Sequence, residues 1–197
     1  MQKKYEIVED SVRLLNGREL YRIKALCDFG KVTRGDIGGW IENEQNLCHT
    51  GMCWIFDNAC VCNNAQVSGD ATVYGYGTVY DNAVIRDSAQ VSNILIGGNT
   101  YVGHDVHLST RCTIKNDARI LTDADIMVFS NRFAGPTGLA FYNCADGSIK
   151  VSRTGFNGTI DDYITYVLKN YKLDRHIKMY TDPIAMAQRY FGIEVTL

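Results

Sequence analysis

Asn58-Ala-Cys-Val-Cys-Asn, Asn64-Ala-Gln-Val-Ser-Gly, Asp70-Ala-Thr-Val-Tyr-Gly, Tyr76-Gly-Thr-Val-Tyr-Asp, Asn82-Ala-Val-Ile-Arg-Asp and Ser88-Ala-Gln-Val-Ser-Asn follow one another without a gap. A bulky aliphatic falls at 61, 67, 73, 79, 85 and 91, always six apart. A fixed period of this kind marks a repeat architecture. Within each hexad, as in Ala65-Gln-Val-Ser68, small-in, polar-out, large-in and polar-out residues alternate as they do along a short strand. The next two positions, such as Asn63-Asn64, Gly69-Asp70, Asp81-Asn82, Asp87-Ser88 and Asn116-Asp117, hold residues that tolerate left-handed backbone and tight corners. Three such units predict a triangular coil in which each strand stacks on the one eighteen residues later. Val and Ile fill the prism, and Ala fits where the corner is narrow. A β-sandwich of short strands spaces its turns every 8–12 residues instead.

The period breaks at Ile94-Leu-Ile-Gly-Gly and resumes with Val102, Leu108, Ile114, Ile120 and Ile126. Upstream, the spacing assigns Trp54, in Gly51-Met-Cys-Trp-Ile-Phe, to an imperfect first copy. The result is a parallel β-helix of a little over four coils, roughly 20 Å tall at the strand spacing of a sheet.

Open coil ends are aggregation templates unless covered, and both flanks stop repeating as caps should. At the front, Tyr5–Val8 and Leu20–Ala25 bracket Asn16-Gly17, a hairpin signal. At the back, Leu139–Cys144 and Ser148–Val151 bracket a second turn at Ala145-Asp-Gly147. Thr159-Ile-Asp-Asp162 reads as a capping box with Asp in place of Glu, and Ile160, Ile164, Val167, Leu168 and Tyr171 supply a helical stripe. Thr181-Asp-Pro183 is expected to open a second helix that Gly192 stops. The expected division is an N-terminal β capping module over 1–50, the repeat region over 51–130, and a C-terminal hairpin and two-helix capping or oligomerisation module over 131–197.

Composition narrows the function classes. Twenty Lys and Arg against 22 Asp and Glu give a formal charge of −2, which argues against bulk nucleic-acid binding. Hydrophobic residues at 46% and charged residues at 21% exclude disorder. No apolar run approaches the roughly 20 residues of a membrane span, and Met1–Glu6 has no apolar signal core. Seven cysteines, an odd number, read as free thiols in a reducing cytoplasm. Cys48, Cys53, Cys60 and Cys62 with His49 lack the paired C-x2-C spacing of structural zinc sites, so no metal is expected and the thiols read as small hydrophobes.

Two stretches flank the repeats: Leu20-Tyr-Arg-Ile-Lys-Ala-Leu-Cys-Asp-Phe-Gly, with Gly35-Asp-Ile-Gly-Gly-Trp-Ile-Glu and Asn46-Leu, and Phe156-Asn-Gly-Thr-Ile-Asp-Asp-Tyr. With the hexads they resemble a phage and prophage family of hexapeptide-repeat, polymer-forming-type proteins. The resemblance implies a left-handed β-helix and a viral source more than an activity. The chain departs from that pattern in its irregular block, Asn99–Val128, and in its extra cysteines.

Hexapeptide repeats also build coenzyme A-dependent acyltransferases, in which a His deprotonates the acceptor. His104, at a corner, and His107, on an outward strand position, are the candidates for that chemistry, with Asp105 between them. Gly35-Asp-Ile-Gly-Gly-Trp matches neither the dinucleotide fingerprint nor the P-loop, and no nucleophile elbow stands out. No cofactor is expected, and the balance falls on a non-enzymatic protein. Tyr74, Tyr76 and Tyr80 on adjacent faces and the corner between them are the candidate binding surface, because Tyr gives contact area at low entropy cost. Ordinary strand preference for aromatics on a solvated face is the alternative. The expected partners are a host protein or small nucleotide-like ligand and further copies of the chain, as a dimer or trimer. The expected role is a phage or prophage binding protein that counteracts host defence; a self-assembling structural role is the successor.

Overall fold

The structure, a computed structural model, describes residues 3–130 and 137–193. The expected boundary at 131 therefore lies outside the described residues.

The chain starts with a hairpin, β1 (Tyr5–Leu15) and β2 (Arg18–Ala25), turned at Asn16-Gly17 with both residues at positive φ (51° and 81°). Positive φ at both central residues is what Asn-Gly supplies in a two-residue hairpin turn. β2 pairs antiparallel with β3 (Ile37–Ile41), and β3 then pairs in parallel with the first repeat strand.

The repeats form the predicted parallel stack. After β4 (Trp54–Ile55), β5 (Cys60–Val61), β6 (Gln66–Val67) and β7 (Thr72–Tyr74) make one circuit. β8 (Thr78–Val79), β9 (Val84–Ile85) and β10 (Gln90–Ser92) lie on them, followed by β11 (Leu95–Ile96), β12 (Tyr101–Val102) and β13 (His107–Leu108), and then by β14 (Thr113–Ile114) and β15 (Arg119–Ile120). The pairs Cys60↔Thr78, Gln66↔Val84 and Thr72↔Gln90 carry the eighteen-residue step. The face that carries β5, β8, β11 and β14 is called face A here. Val61, Val67, Val73, Val79, Ile85, Val91, Ile96 and Val102 are all buried inside the prism, each worth roughly 1.5–3 kcal/mol when fully removed from water. The first residue of most corners is left-handed, as at Asn63, Gly69, Asp81 and Asp87.

The break in the sequence is the loss of one corner residue. Asn93 takes the left-handed conformation (φ 55°) and Ile94 turns directly inside, so the next pairs, Thr78↔Leu95 and Val84↔Tyr101, are seventeen apart. The stack absorbs this at the corner because the interior alternation is kept on each side of it.

Two expectations are corrected. Ile55, not Trp54, occupies the interior position, since Ile55 pairs with Val73 and Trp54 with Thr72. Trp54 points outward but is covered by Tyr5 and Phe29, whose rings meet it edge-on at 6.2 and 5.4 Å. The six-residue spacing thus runs unbroken from Ile55 to Val91. Second, the last helix does not open at Thr181-Asp-Pro183 but runs over Asp174–Phe191 with Pro183 inside it. Burial of Ile184 and Ala187, with Ile177 and Tyr180 packed on the same cluster, outweighs the backbone bond that Pro cannot make.

At the far end the expected hairpin is part of a four-stranded antiparallel sheet, β16 (Ile126–Phe129), β17 (Leu139–Asn143), β18 (Ile149–Arg153) and β19 (Phe156–Thr159). Both faces of β17 are buried: Ala140 and Tyr142 join the solenoid core, while Leu139 and Phe141 join the core under the helices. Helix α1 (Ile160–Asn170) begins at the expected box, with the Asp162 N–H donating to Thr159 Oγ1 at 3.1 Å and the Thr159 N–H to Asp162 Oδ2 at 3.0 Å. Helix α2 (Asp174–Phe191) ends at Gly192, φ 65°. No helix among the described residues is long and apolar enough to cross a membrane.

Candidate functional site

The outer side of face A carries a trough. Thr78, Leu95 and Thr113 form one outward column by register, and Tyr80, Gly97 and Lys115, each following an interior aliphatic, form the next. The β1–β2 hairpin folds over the first rungs, where Leu15, Leu20 and Trp40 cluster with Cys60, Cys62 and Tyr80. The β18–β19 turn overhangs the last rungs. Between these walls lie two adjoining cavities of about 350 and about 390 Å3, which share Leu95 and Lys115. The first is bounded by Leu15, Arg18 and Tyr80, the second by Arg153, Thr154 and Phe156.

Three basic residues line the two cavities, in different settings. Arg18 pairs with Glu42 at 2.9 Å, but among the described residues neither Lys115 nor Arg153 has a carboxylate within ion-pair distance. Lys115 Nζ lies 5.8 Å from the Tyr80 ring centroid. Arg153 is held by the helical layer: its Nη1 donates to the Tyr171 hydroxyl at 3.5 Å, and its guanidinium lies 4.7 Å from the Tyr180 ring. Burial works against the Arg153 charge, but the hydroxyls of Tyr163 and Tyr171 outweigh it and raise the pKa further, so the charge is permanent.

The three tyrosines fall as the hexads place them, on two faces and a corner, in different surroundings. Tyr74 stacks on Phe56 at 4.6 Å and 5°. Tyr76 is 69% exposed, and its N–H donates to Asn93 Oδ1. Tyr80 alone lines the trough.

His104 takes a left-handed corner (φ 54°), and its backbone N–H donates to Asp87 Oδ2 at 3.0 Å. His107 is exposed on β13 and lines a separate cavity of about 180 Å3 with Ser109, Thr110, Cys112 and Asp123. The His107 N–H donates to Asp123 Oδ1 at 3.3 Å, so the nearby carboxylate comes from a turn sixteen residues on and grips the backbone. Burial pushes the Cys112 thiol up to about 12, which removes it as a thiolate at neutral pH. His49 is stacked on Tyr5 at 4.3 Å, and Cys53, Cys60, Cys62, Cys112 and Cys144 are buried free thiols.

Lys115, Arg153 and Asp123 were not legible as site residues. Lys115 had a signal: 62, 80, 97 and 115 are one outward column once the seventeen-residue step is allowed. Arg153 had none, because only the docking of the C-terminal sheet brings its segment beside face A, with the guanidinium itself held by the helices.

No family model matches the chain. A 42-residue stretch is 43% identical to the "Uncharacterized acetyltransferase YdcK" of Escherichia coli (strain K12), covering 21% of this chain and 13% of that protein. The chain is thus a hexapeptide-repeat β-solenoid with a short local likeness to a protein named as an acetyltransferase.

Proposed function

We propose that this protein is a non-enzymatic binding scaffold whose ligand or partner seats in the trough on face A. The observation that carries the reading is the trough itself: a rigid floor of parallel rungs, walled by two hairpins, with Lys115 free of a carboxylate partner among the described residues. A preformed site loses little ordering entropy on binding. The finer reading, a phage or prophage product that counteracts host defence by holding a host protein or a nucleotide signal in the cytoplasm, is supported by the resemblance of the flanking modules and by the free thiols. A pull-down from host lysate with metabolite analysis tests it, comparing wild type with Tyr80→Ala and with the Tyr74, Tyr76 and Tyr80 to Ala triple variant. Enrichment lost in both variants supports the trough, and no enrichment by wild type removes the reading. The apolar side chains exposed on and between the helices, Leu168, Leu173, Met186 and Tyr190, support a homo-oligomer; a sedimenting species of only 22.1 kDa at micromolar concentration would exclude it.

The acyltransferase reading has two observations in its favour, the local identity with the acetyltransferase and the cavity that His107 and Asp123 both line. Calorimetry with coenzyme A and acetyl-coenzyme A separates the two. Saturable binding that His104→Ala or His107→Ala leaves in place, with acetyl transfer lost, would promote the enzyme.

A further inference from the structure

We propose that the half of the trough beneath the β1–β2 turn binds a small aromatic monoanion, its carboxylate at Lys115 and its ring against Tyr80, an inference that rests on the binding reading above. The walls of this cavity converge by register. Tyr80 and Lys115 belong to one outward column of face A and Leu95 to the next. From the other side Leu15 comes down off the hairpin to cluster with Tyr80 and Cys62. Leu15 and Leu95 thus give the cavity apolar walls, and about 350 Å3 is within the range of small-molecule sites.

The charges in the cavity reduce to one free cation. No Asp or Glu lines it, and burial pushes the Cys62 thiol up to about 11, so that group is neutral as well. Arg18 is already neutralised: its Nη1 donates to Glu42 Oε1 at 2.9 Å, and Glu42 Oε2 accepts the Asn63 N–H at 2.6 Å. Lys115 has no carboxylate within ion-pair distance among the described residues. Its backbone is fixed, since its N–H donates to the Tyr142 hydroxyl at 3.3 Å. Its Nζ lies 5.8 Å from the Tyr80 ring centroid, which turns the ammonium along the column toward this cavity. That distance is near the outer limit of a cation–π contact and leaves the ammonium donors for a ligand. The Tyr80 ring, packed on the Gly97 backbone, offers a planar body a fixed aromatic surface. One ammonium balances one negative charge, so the ligand class is an aromatic carboxylate and not a dianionic phosphate ester.

Titration of the full chain with benzoate, uncharged benzamide and phenyl phosphate, followed by ligand-observed NMR, tests the assignment. Saturable binding of benzoate, tighter than benzamide and no weaker than phenyl phosphate, is the expected result. Lys115→Met keeps the aliphatic stem and removes the charge, and should weaken benzoate at least about tenfold while leaving benzamide within about twofold. Lys115→Arg, which restores the charge, should restore benzoate binding, and Tyr80→Ala should weaken both benzoate and benzamide. Melting curves establish that the Lys115 variants are folded; if Lys115→Met is not, the comparison of benzoate with benzamide on wild type decides. Equal benzoate affinity of wild type and Lys115→Met, benzamide binding as well as benzoate, phenyl phosphate binding more tightly than benzoate, or no binding of benzoate would overturn the proposal. If benzoate fails to bind while Tyr80→Ala still abolishes capture of a partner from lysate, this inference falls and the scaffold reading stands.

Discussion

The ring of Tyr80 lies against the backbone of Gly97 one coil further on, so closely that a Cβ added at 97 would overlap Cζ, Cε2 and the hydroxyl of Tyr80. The glycine is needed for this close approach: Gly97 is the one position in the outward column 62, 80, 97, 115 that lacks a side chain. Gly97→Ala should leave the solenoid folded, because a ring can swing where backbone cannot, while expelling Tyr80 from its place. We expect the variant to melt cooperatively with altered tyrosine fluorescence and to lose trough binding to the same degree as Tyr80→Ala. Unchanged fluorescence and binding would show that the ring is not held there.

Val73 is fully buried between Ile55 and Val91 on one interior column. Val73→Asp places a charge where no partner exists, at a cost above about 4 kcal/mol. The expected outcome is insoluble or non-cooperatively melting protein, and a soluble variant with a sharp transition would contradict the packing described.

Along one edge the carboxamides of Asn64, Asn82 and Asn99 and the carboxylate of Asp117 form a ladder, with steps of 3.0, 2.9 and 2.8 Å. Asn82→Ala removes two of these bonds at an exposed site. A loss of about 1 kcal/mol is expected, or roughly 2–4 °C in the melting temperature of a chain of this size. Thermal melts of Asn82→Ala beside an exposed control, Arg119→Ala, would separate ladder loss from a generic surface effect.

Acid should destabilise the corners and the α1 cap. Asp87 is held below its ordinary 3.8 by the His104 N–H, Asp162 by the Thr159 N–H and hydroxyl, and Asp146 by Ser148. At Asp125 burial opposes the charge, but the Leu121 and Thr122 N–H groups and the Asn143 amide outweigh it. A carboxyl whose folded pKa is depressed contributes stability that is present above its unfolded value and lost as pH falls through its folded value. Melting temperature should therefore be flat above about pH 5 and fall below about pH 4. Asp162→Asn should flatten part of that acid limb; an identical limb in wild type and variant would rule out the cap as a contributor.

The hexads by themselves determined the parallel three-sided stack, the left-handed corners and the interior identity of Val61 through Val91, because a six-residue period with alternating faces is a local property that each repeat states again. The Asn16-Gly17 turn and the Thr159–Asp162 box were legible for the same reason: each satisfies its own backbone within a few residues. Tertiary structure decided where local signals tie or fall silent. Trp54 and Ile55 are neighbours of similar hydrophobicity, and only the docking of Tyr5 and Phe29 onto the outward position assigns Ile55 to the interior. Pro183 reads as a helix start until the packing of Ile184 and Ala187 carries the helix through it. The meeting of Lys115 with the 152–157 segment belongs to this second class. The two share no repeat, and they line one cavity because Ala140 and Tyr142 of the neighbouring strand join the end of the solenoid core.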